Sequence, residues 1–199
     1  LVANSGSRRN LEVDFFGGEP LMNFDVVKQI VEYARSKEEE YHKNFRFTIT
    51  TNGMLLDDDT IDYINKEMYN VVLSIDGRKE VNDRMRVRVD GSGCYDRILP
   101  KFKKLVDGRG DKEYYVRGTY TKYNLDFSED VMHLYEAGFD EISVEPVIES
   151  PEEAYAITEE DLDQIYAEYD KLVDRIGAIR KNGKHINFFH FMIDLTGGP

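Results

Sequence analysis

Thiols are nearly absent from this chain: Cys94 is the one cysteine in 199 residues. No disulfide can form within it, which predicts a reducing, cytoplasmic setting. A single thiolate also cannot build a multi-cysteine metal or cluster site. Basic residues are in deficit, 26 Lys and Arg against 39 Asp and Glu. The resulting net charge of −13 argues against a nucleic-acid partner, which requires a basic surface. No apolar run approaches the ~20 residues of a membrane span, and no secretory signal is present, so no membrane partner is expected. There is no initiator Met, and Leu1-Val2-Ala3-Asn4-Ser5-Gly6 reads as the tail of a helix. The last residues, Gly197-Gly198-Pro199, carry no closing element, so the expectation is a chain cut from something longer.

What is there is a globular composition, 41% hydrophobic and 33% charged. Strand-like and helix-like segments alternate. Strands are expected at 11–16, 45–51, 71–75, 114–121 and 141–147. Helices are expected at 24–35 with Asn23 as N-cap, at 58–68, at 94–106 with a break near Pro100, and at 129–137 capped by Ser128. Five β units alternating with helices imply parallel strands with right-handed crossovers, in an α/β barrel or an open doubly wound sheet. Beyond Val147 the rhythm changes. A helix from Thr158 to about Arg180 places Leu162, Ile165, Tyr166, Tyr169, Leu172, Val173 and Ile176 on one face, and 186–193 is apolar and aromatic.

Side chains alternate along a strand, so each strand has two faces. One set is apolar: Leu11, Val13 and Phe15; Phe45, Phe47 and Ile49; Val71, Leu73 and Ile75; Tyr114, Val116 and Tyr120; Ile142 and Val144. The other is polar: Glu12 and Asp14; Arg46, Thr48 and Thr50; Ser74; Arg117 and Thr119; Ser143 and Glu145. A closed eight-stranded barrel fills its inner face with Val, Ile and Leu. A polar inner face instead predicts a wetter lumen that holds a ligand. The plain alternative is mutual neutralisation, Arg46 with Glu12 or Arg117 with Glu145, which contributes little net stability.

Ligands of α/β folds collect at the carboxyl ends of strands. The first strand runs into Gly17-Gly18-Glu19-Pro20, the second into Thr50-Thr51-Asn52-Gly53, the third into Ser74-Ile75-Asp76-Gly77. Adjacent glycines admit positive φ and a close ligand, Glu19 offers an acceptor for a cation, and Pro20 stiffens the exit. Asn-Gly and Asp-Gly are also ordinary turn pairs. Arg86, twelve residues past Ser74, can grip a carboxylate with two parallel hydrogen bonds. An amine at Glu19 and a carboxylate at Arg86 describe an α-amino acid.

Together, Gly17-Gly18-Glu19-Pro20, Thr51-Asn52-Gly53, Leu73-Ser74-Ile75-Asp76-Gly77 and the Asp83-to-Arg86 spacing resemble the radical S-adenosylmethionine enzymes. The stretches 15–24 and 71–86, with Tyr115-Val116-Arg117-Gly118-Thr119-Tyr120, resemble the peptide-modifying SPASM branch, in particular maturases of six-cysteine (SCIFF) peptides. The resemblance covers residues 1 to about 147. It implies a partial (β/α)6 barrel whose second to sixth strands lie in 1–150. It implies also a helical linker at 151–199, leading toward a C-terminal domain of auxiliary clusters. The first strand and a Cys-x3-Cys-x2-Cys loop holding a [4Fe-4S] cluster would lie upstream. By resemblance, Gly17, Gly18, Glu19 and Pro20 receive the S-adenosylmethionine amine, and Thr50, Asn52, Ser74 and Asp76 line the ribose and methionyl end. Arg86 then meets the carboxylate, and Val147 packs near the adenine. Many relatives carry Gln where Thr50 stands. Arg117, Thr119 and Glu145 are candidate substrate contacts.

The implied chemistry is reductive cleavage of S-adenosylmethionine to a 5′-deoxyadenosyl radical, fed by an electron donor. Thioether crosslinks are then installed in a cysteine-rich precursor peptide. Two other classes remain open at this point. One is a non-radical barrel enzyme using Glu19, Asp76 and Arg86 for acid–base work; the other is a non-catalytic peptide-binding barrel fragment.

Overall fold

The structure, a computed structural model, describes residues 1–192. Ile193, the end of the expected apolar stretch, and Gly197-Gly198-Pro199 lie outside the described residues. In chain order the elements are β1 (Asn10–Phe15), α1 (Phe24–Tyr41), β2 (Asn44–Thr51), α2 (Asp58–Glu67), β3 (Asn70–Ser74), α3 (Lys79–Met85) and α4 (Tyr95–Asp107), then β4 (Glu113–Tyr120), α5 (Phe127–Glu136), β5 (Glu141–Pro146), α6 (Leu162–Lys181) and β6 (Asn187–Phe188). Strand order follows the chain from β1 to β6. The chain divides into two compact units, one of Leu1–Ser74 and Arg97–Tyr114, the other of Ile75–Asp96 and Tyr115 onward.

In the first unit β1 pairs with β2 and β2 with β3, all parallel, with Asp14 level with Thr48 and Thr48 level with Asn70. β2 alternates half-buried Arg46, Thr48 and Thr50 with buried Phe45, Phe47 and Ile49, the two faces expected from its sequence. Phe47 stacks on both Phe15 and Phe45. Val27, Val31 and Ala34 recur at helical spacing and form the buried stripe of α1. Arg46 lies over the Tyr69 ring, 4.6 Å from its centroid, a contact other than the Glu12 pairing of the neutralisation alternative. Pro100 sits inside an unbroken α4. It is exposed, so the carbonyl that loses its N–H partner faces water.

In the second unit β4, β5 and β6 pair in parallel. β6 has only two residues, too few for an alternation to be read from sequence. α5 begins at Phe127 after Asp126, ahead of the expected start at Glu129 with Ser128 as cap. Ser128 is buried and donates to Glu168, while the Asp126 carboxylate is taken by Arg78. α6 follows a capping box of Thr158 and Asp161, and its buried stripe is Ile165, Leu172 and Ile176. Leu162, Tyr166 and Val173, expected on that face, are exposed, and Glu168 is buried there instead. Asn23 and Asp126 stand at N-cap positions without a side-chain capping bond.

The first unit is tied at one point by Arg109, which is 4% exposed. Its guanidinium donates to the carbonyls of Ile64 (3.4 Å), Met68 (3.2 Å), Tyr69 (2.8 Å) and Glu113 (2.6 Å). It thereby satisfies carbonyls at and beyond the end of α2, and burial pulls its pKa down to about 10. Arg109→Met is expected to lower stability by about 2–4 kcal/mol in urea denaturation, because several buried acceptors lose their donor at once. Arg109→Lys is expected to recover little, since one ammonium cannot span the same carbonyls.

Candidate cofactor site

The first unit holds the exits of β1, β2 and β3. Gly17 and Gly18 have φ of +94° and +53°, and no atom lies within 4 Å of where a Cβ would stand on either. The turn is bare backbone on an open side. Glu19 does not project freely from it. Its Oε1 accepts from Thr51 Oγ1 at 2.9 Å and from Leu21 N at 3.1 Å, and its Oε2 accepts from Asn52 N at 2.7 Å. The carboxylate therefore ties the exit of β1 to that of β2. Pro20 follows as the first residue of a short 3-10 turn. Thr51, which sequence reasoning passed over as a ligand, is 1% exposed and also accepts from Gly53 N at 3.0 Å. Asn52 Oδ1 accepts from Met54 N at 3.0 Å, an Asx turn that fixes the loop. Thr50 and Ser74 are half-buried at the ends of their strands.

The second unit, taken by itself, holds a different device. Asp76 is 3% exposed and forms a two-bond pair with Arg86, Nε to Oδ2 at 2.7 Å and Nη2 to Oδ1 at 2.8 Å. Thr119 N also donates to Asp76 Oδ1, at 2.9 Å. Arg86 therefore does return to the strand end, but its fork is already gripping a carboxylate of the protein. Asn82 and Asp83, the latter already part of the motif spacing, complete the arrangement. Asn82 Oδ1 accepts from Asp76 N at 3.3 Å. Asp83 Oδ1 accepts from Cys94 N and Tyr95 N, both at 2.8 Å, at the start of α4. Arg117 and Glu145 pair at 2.8 Å, as the neutralisation alternative anticipated, and Ser143 Oγ donates to Glu145 at 3.1 Å. Val147 is half-buried just past β5, its N–H on the Tyr120 carbonyl.

Glycine-only backbone beside half-buried hydroxyls fits the aminoacyl end of a small ligand such as S-adenosylmethionine. Cluster ligation does not fit. Among the described residues no group of three His, Cys, Asp or Glu could hold a metal, and Cys94 is buried and single.

Three outcomes test this geometry. Arg86→Ala strands a buried carboxylate and is expected to cost about 3 kcal/mol, with Asp76→Ala/Arg86→Ala costing less than the two singles summed in a double-mutant cycle. Gly118→Ala is expected to destabilise measurably in the same assay, because a Cβ there would stand 2.7 Å from the Ile75 carbonyl and 2.9 Å from Asp76 Cα. The hydrogen bond from Arg117 holds the Glu145 carboxyl below its usual range, against the opposing effect of burial. Its contribution is then full above the unfolded value of about 4.3 and fades as pH falls through the lower folded one. Glu145→Gln is expected to flatten that acid limb in urea midpoints taken from neutral to acid pH.

The chain is similar to known proteins. Residues 7–111, over half of the chain, match the Radical SAM superfamily. The cysteine-type anaerobic sulfatase-maturating enzyme of Clostridium novyi (strain NT) is 27% identical over 100 residues, 50% of this chain and 26% of that protein. The radical SAM cyclopropyl synthase TigE of Paramaledivibacter caminithermalis is 26% identical over 126 residues, 60% of this chain and 25% of that one. This chain thus spans about a quarter of either relative. Among solved structures, native anSMEcpe with bound AdoMet and Kp18Cys peptide superposes with a TM-score of 0.82 at 18% identity, over 94% of this chain and 52% of that one. That likeness speaks to the fold alone, the α/β partial barrel that the resemblance implied. With the family match running through the glycine turn, the Thr51-Asn52-Gly53 loop and Asp76 to Arg86, the chain belongs to the radical SAM superfamily.

Proposed function

We propose that this chain carries the S-adenosylmethionine-binding part of a peptide maturase. In this reading the cofactor's amine meets the backbone of Gly17-Gly18, and Thr50, Asn52 and Ser74 face its ribose and methionyl end. Asp76 and Arg86 shape the strand end near its carboxylate, and Val147 packs near the adenine. Arg117, Thr119 and Glu145 belong to the substrate side. The observation that carries the reading is the glycine turn locked by Glu19 onto Thr51 and Asn52. That lock holds a backbone surface rigid and open while consuming the one charged side chain in it.

S-adenosylmethionine supplies a 5′-deoxyadenosyl radical on reductive cleavage, and the electron donor and cluster thiolates must be other than Cys94. The protein's own share is positioning and exclusion of water. The substrate proposed is a cysteine-rich, ribosomally made peptide, and the product a thioether between a cysteine sulfur and a carbon. Two similarities support a peptide substrate: the relative named as a sulfatase-maturating enzyme, and the structural neighbour described with a bound peptide. No observation favours the non-radical or the purely binding alternative over this one. Among the described residues no helix is long and apolar enough to cross a membrane.

The test is 5′-deoxyadenosine release from the chain joined to a Cys-x3-Cys-x2-Cys cluster loop, followed by mass spectrometry after anaerobic loading with iron and sulfide and addition of dithionite and S-adenosylmethionine. Glu19→Ala is expected to cut the yield ~100-fold by loosening the turn, the scale of a 1 Å misplacement. No release from protein shown to carry a cluster would refute the reading.

A further inference from the structure

We propose that a cavity in the second unit, between α3 and the turn after β4, binds a carboxylate of the peptide substrate, with Arg84 as the contacting group. This rests on the peptide-modifying reading above. The cavity measures about 250 Å³ and is lined by Arg78, Glu80, Arg84, Met85, Tyr123 and Asp126, among others. That volume suits a side chain or a chain end, not a nucleotide. Thr121, the residue after the end of β4, also lines it, so it opens at the end of the strand where ligands of α/β folds collect.

Its two arginines are in opposite states. Arg78 is spent: it bonds Asp126 through Nη1 at 3.0 Å and Nη2 at 2.8 Å, and Asp130 through Nε at 2.8 Å. Arg84 bonds no acceptor among the described residues. Its guanidinium carbon lies 3.4 Å from the centroid of the Tyr123 ring. The contact with the ring uses the guanidinium's face and none of its N–H donors, which leaves a fork able to meet a planar carboxylate. Glu80 stands one turn earlier on α3, at the i,i+4 spacing where a Glu–Arg pair commonly forms, yet no ion pair joins them among the described residues. An arginine that takes an aromatic face in preference to an adjacent carboxylate is pre-set for an acceptor from outside. The chain's net charge of −13 adds a reason for a dedicated cation, since the surroundings repel a carboxylate.

The carboxylate has two sources, an Asp or Glu side chain or the peptide's C-terminus. The experiment follows the Arg Nε–H resonances of the whole chain by NMR during titration with three probes. These are acetyl-Gly-Asp-Gly-amide, acetyl-Gly-Asn-Gly-amide and acetyl-Gly-Gly-Gly with a free C-terminus. A saturable shift of the Arg84 signal is expected with one or both acidic probes, at a Kd of roughly 1 mM, and none with the Asn probe. The responding probe names the source. Arg84→Met is expected to weaken binding about tenfold or more, and Arg84→Lys to recover part of it. Glu80→Gln, which leaves the fork in place, is expected to tighten binding by removing a nearby like charge. It provides the test if Arg84→Met does not fold. Equal response to the Asn probe, no response to either acid, or no tightening in Glu80→Gln overturns the inference. Because this binding needs no turnover, its failure alongside 5′-deoxyadenosine release removes the inference alone; failed release from cluster-loaded protein removes the reading beneath it.

Discussion

The strand-end motif of the second unit depends on the buried carboxylate of Asp76. A carboxylate at 3% exposure costs several kcal/mol to desolvate unless its lone pairs are filled. Here they are filled by the Arg86 fork and by the Thr119 N–H. The consequences spread along the chain. Arg86 must return from α3, so the segment 82–86 has a fixed path, and Asn82 and Asp83 are used along it to hold the Asp76 backbone and the first N–H groups of α4. β4 must bring Thr119 alongside, and Gly118 next to it can carry no Cβ without striking Ile75 and Asp76 backbone atoms. A motif that reads in sequence as scattered Asp, Asn, Arg and Gly is thus one solution to the problem of burying one carboxylate.

The first unit solves a similar problem with less charge. Glu19 is half-buried and receives three donors, two of them backbone N–H groups. Such bonds to a carboxylate are among the stronger neutral-to-ionic contacts. Their product is positional: the loops after β1 and β2 are held to each other, and the glycine turn keeps a conformation that side chains disfavour. In both units the acid of the motif is directed inward at the protein. What is left facing outward is backbone and hydroxyl.

This divides what the sequence could tell from what it could not. The alternation of β2 and the presence of α1 were legible because period-2 and period-3.6 patterns are dictated by geometry alone. The glycine turn was legible for the same local reason. The partners of Glu19 and Arg86 were not, because a carboxylate and an arginine are equally suited to a ligand and to each other, and only the register of distant segments decides. Arg86 and Asp76 are ten residues apart, yet sequence reasoning assigned each to the cofactor and neither to the other. β6 and the start of α5 were missed for different reasons. Two residues carry no period, and Ser128, a good N-cap by type, is diverted by a buried Glu168 forty residues later.

Family motifs of this kind are commonly read as lists of ligand contacts. The geometry here separates two roles that such a list merges. Glu19, Asp76 and Arg86 act on the protein: they hold loops whose backbone and small hydroxyl groups are the surface a cofactor would touch. A residue acting this way is intolerant of change for mechanical reasons, and its loss is expected to register in stability as well as in turnover. A proposed contact such as the Thr50 or Ser74 hydroxyl has no comparable structural duty, so its loss should register in turnover alone. The ratio of those two effects, residue by residue, is therefore the quantity that distinguishes the frame of the site from its lining.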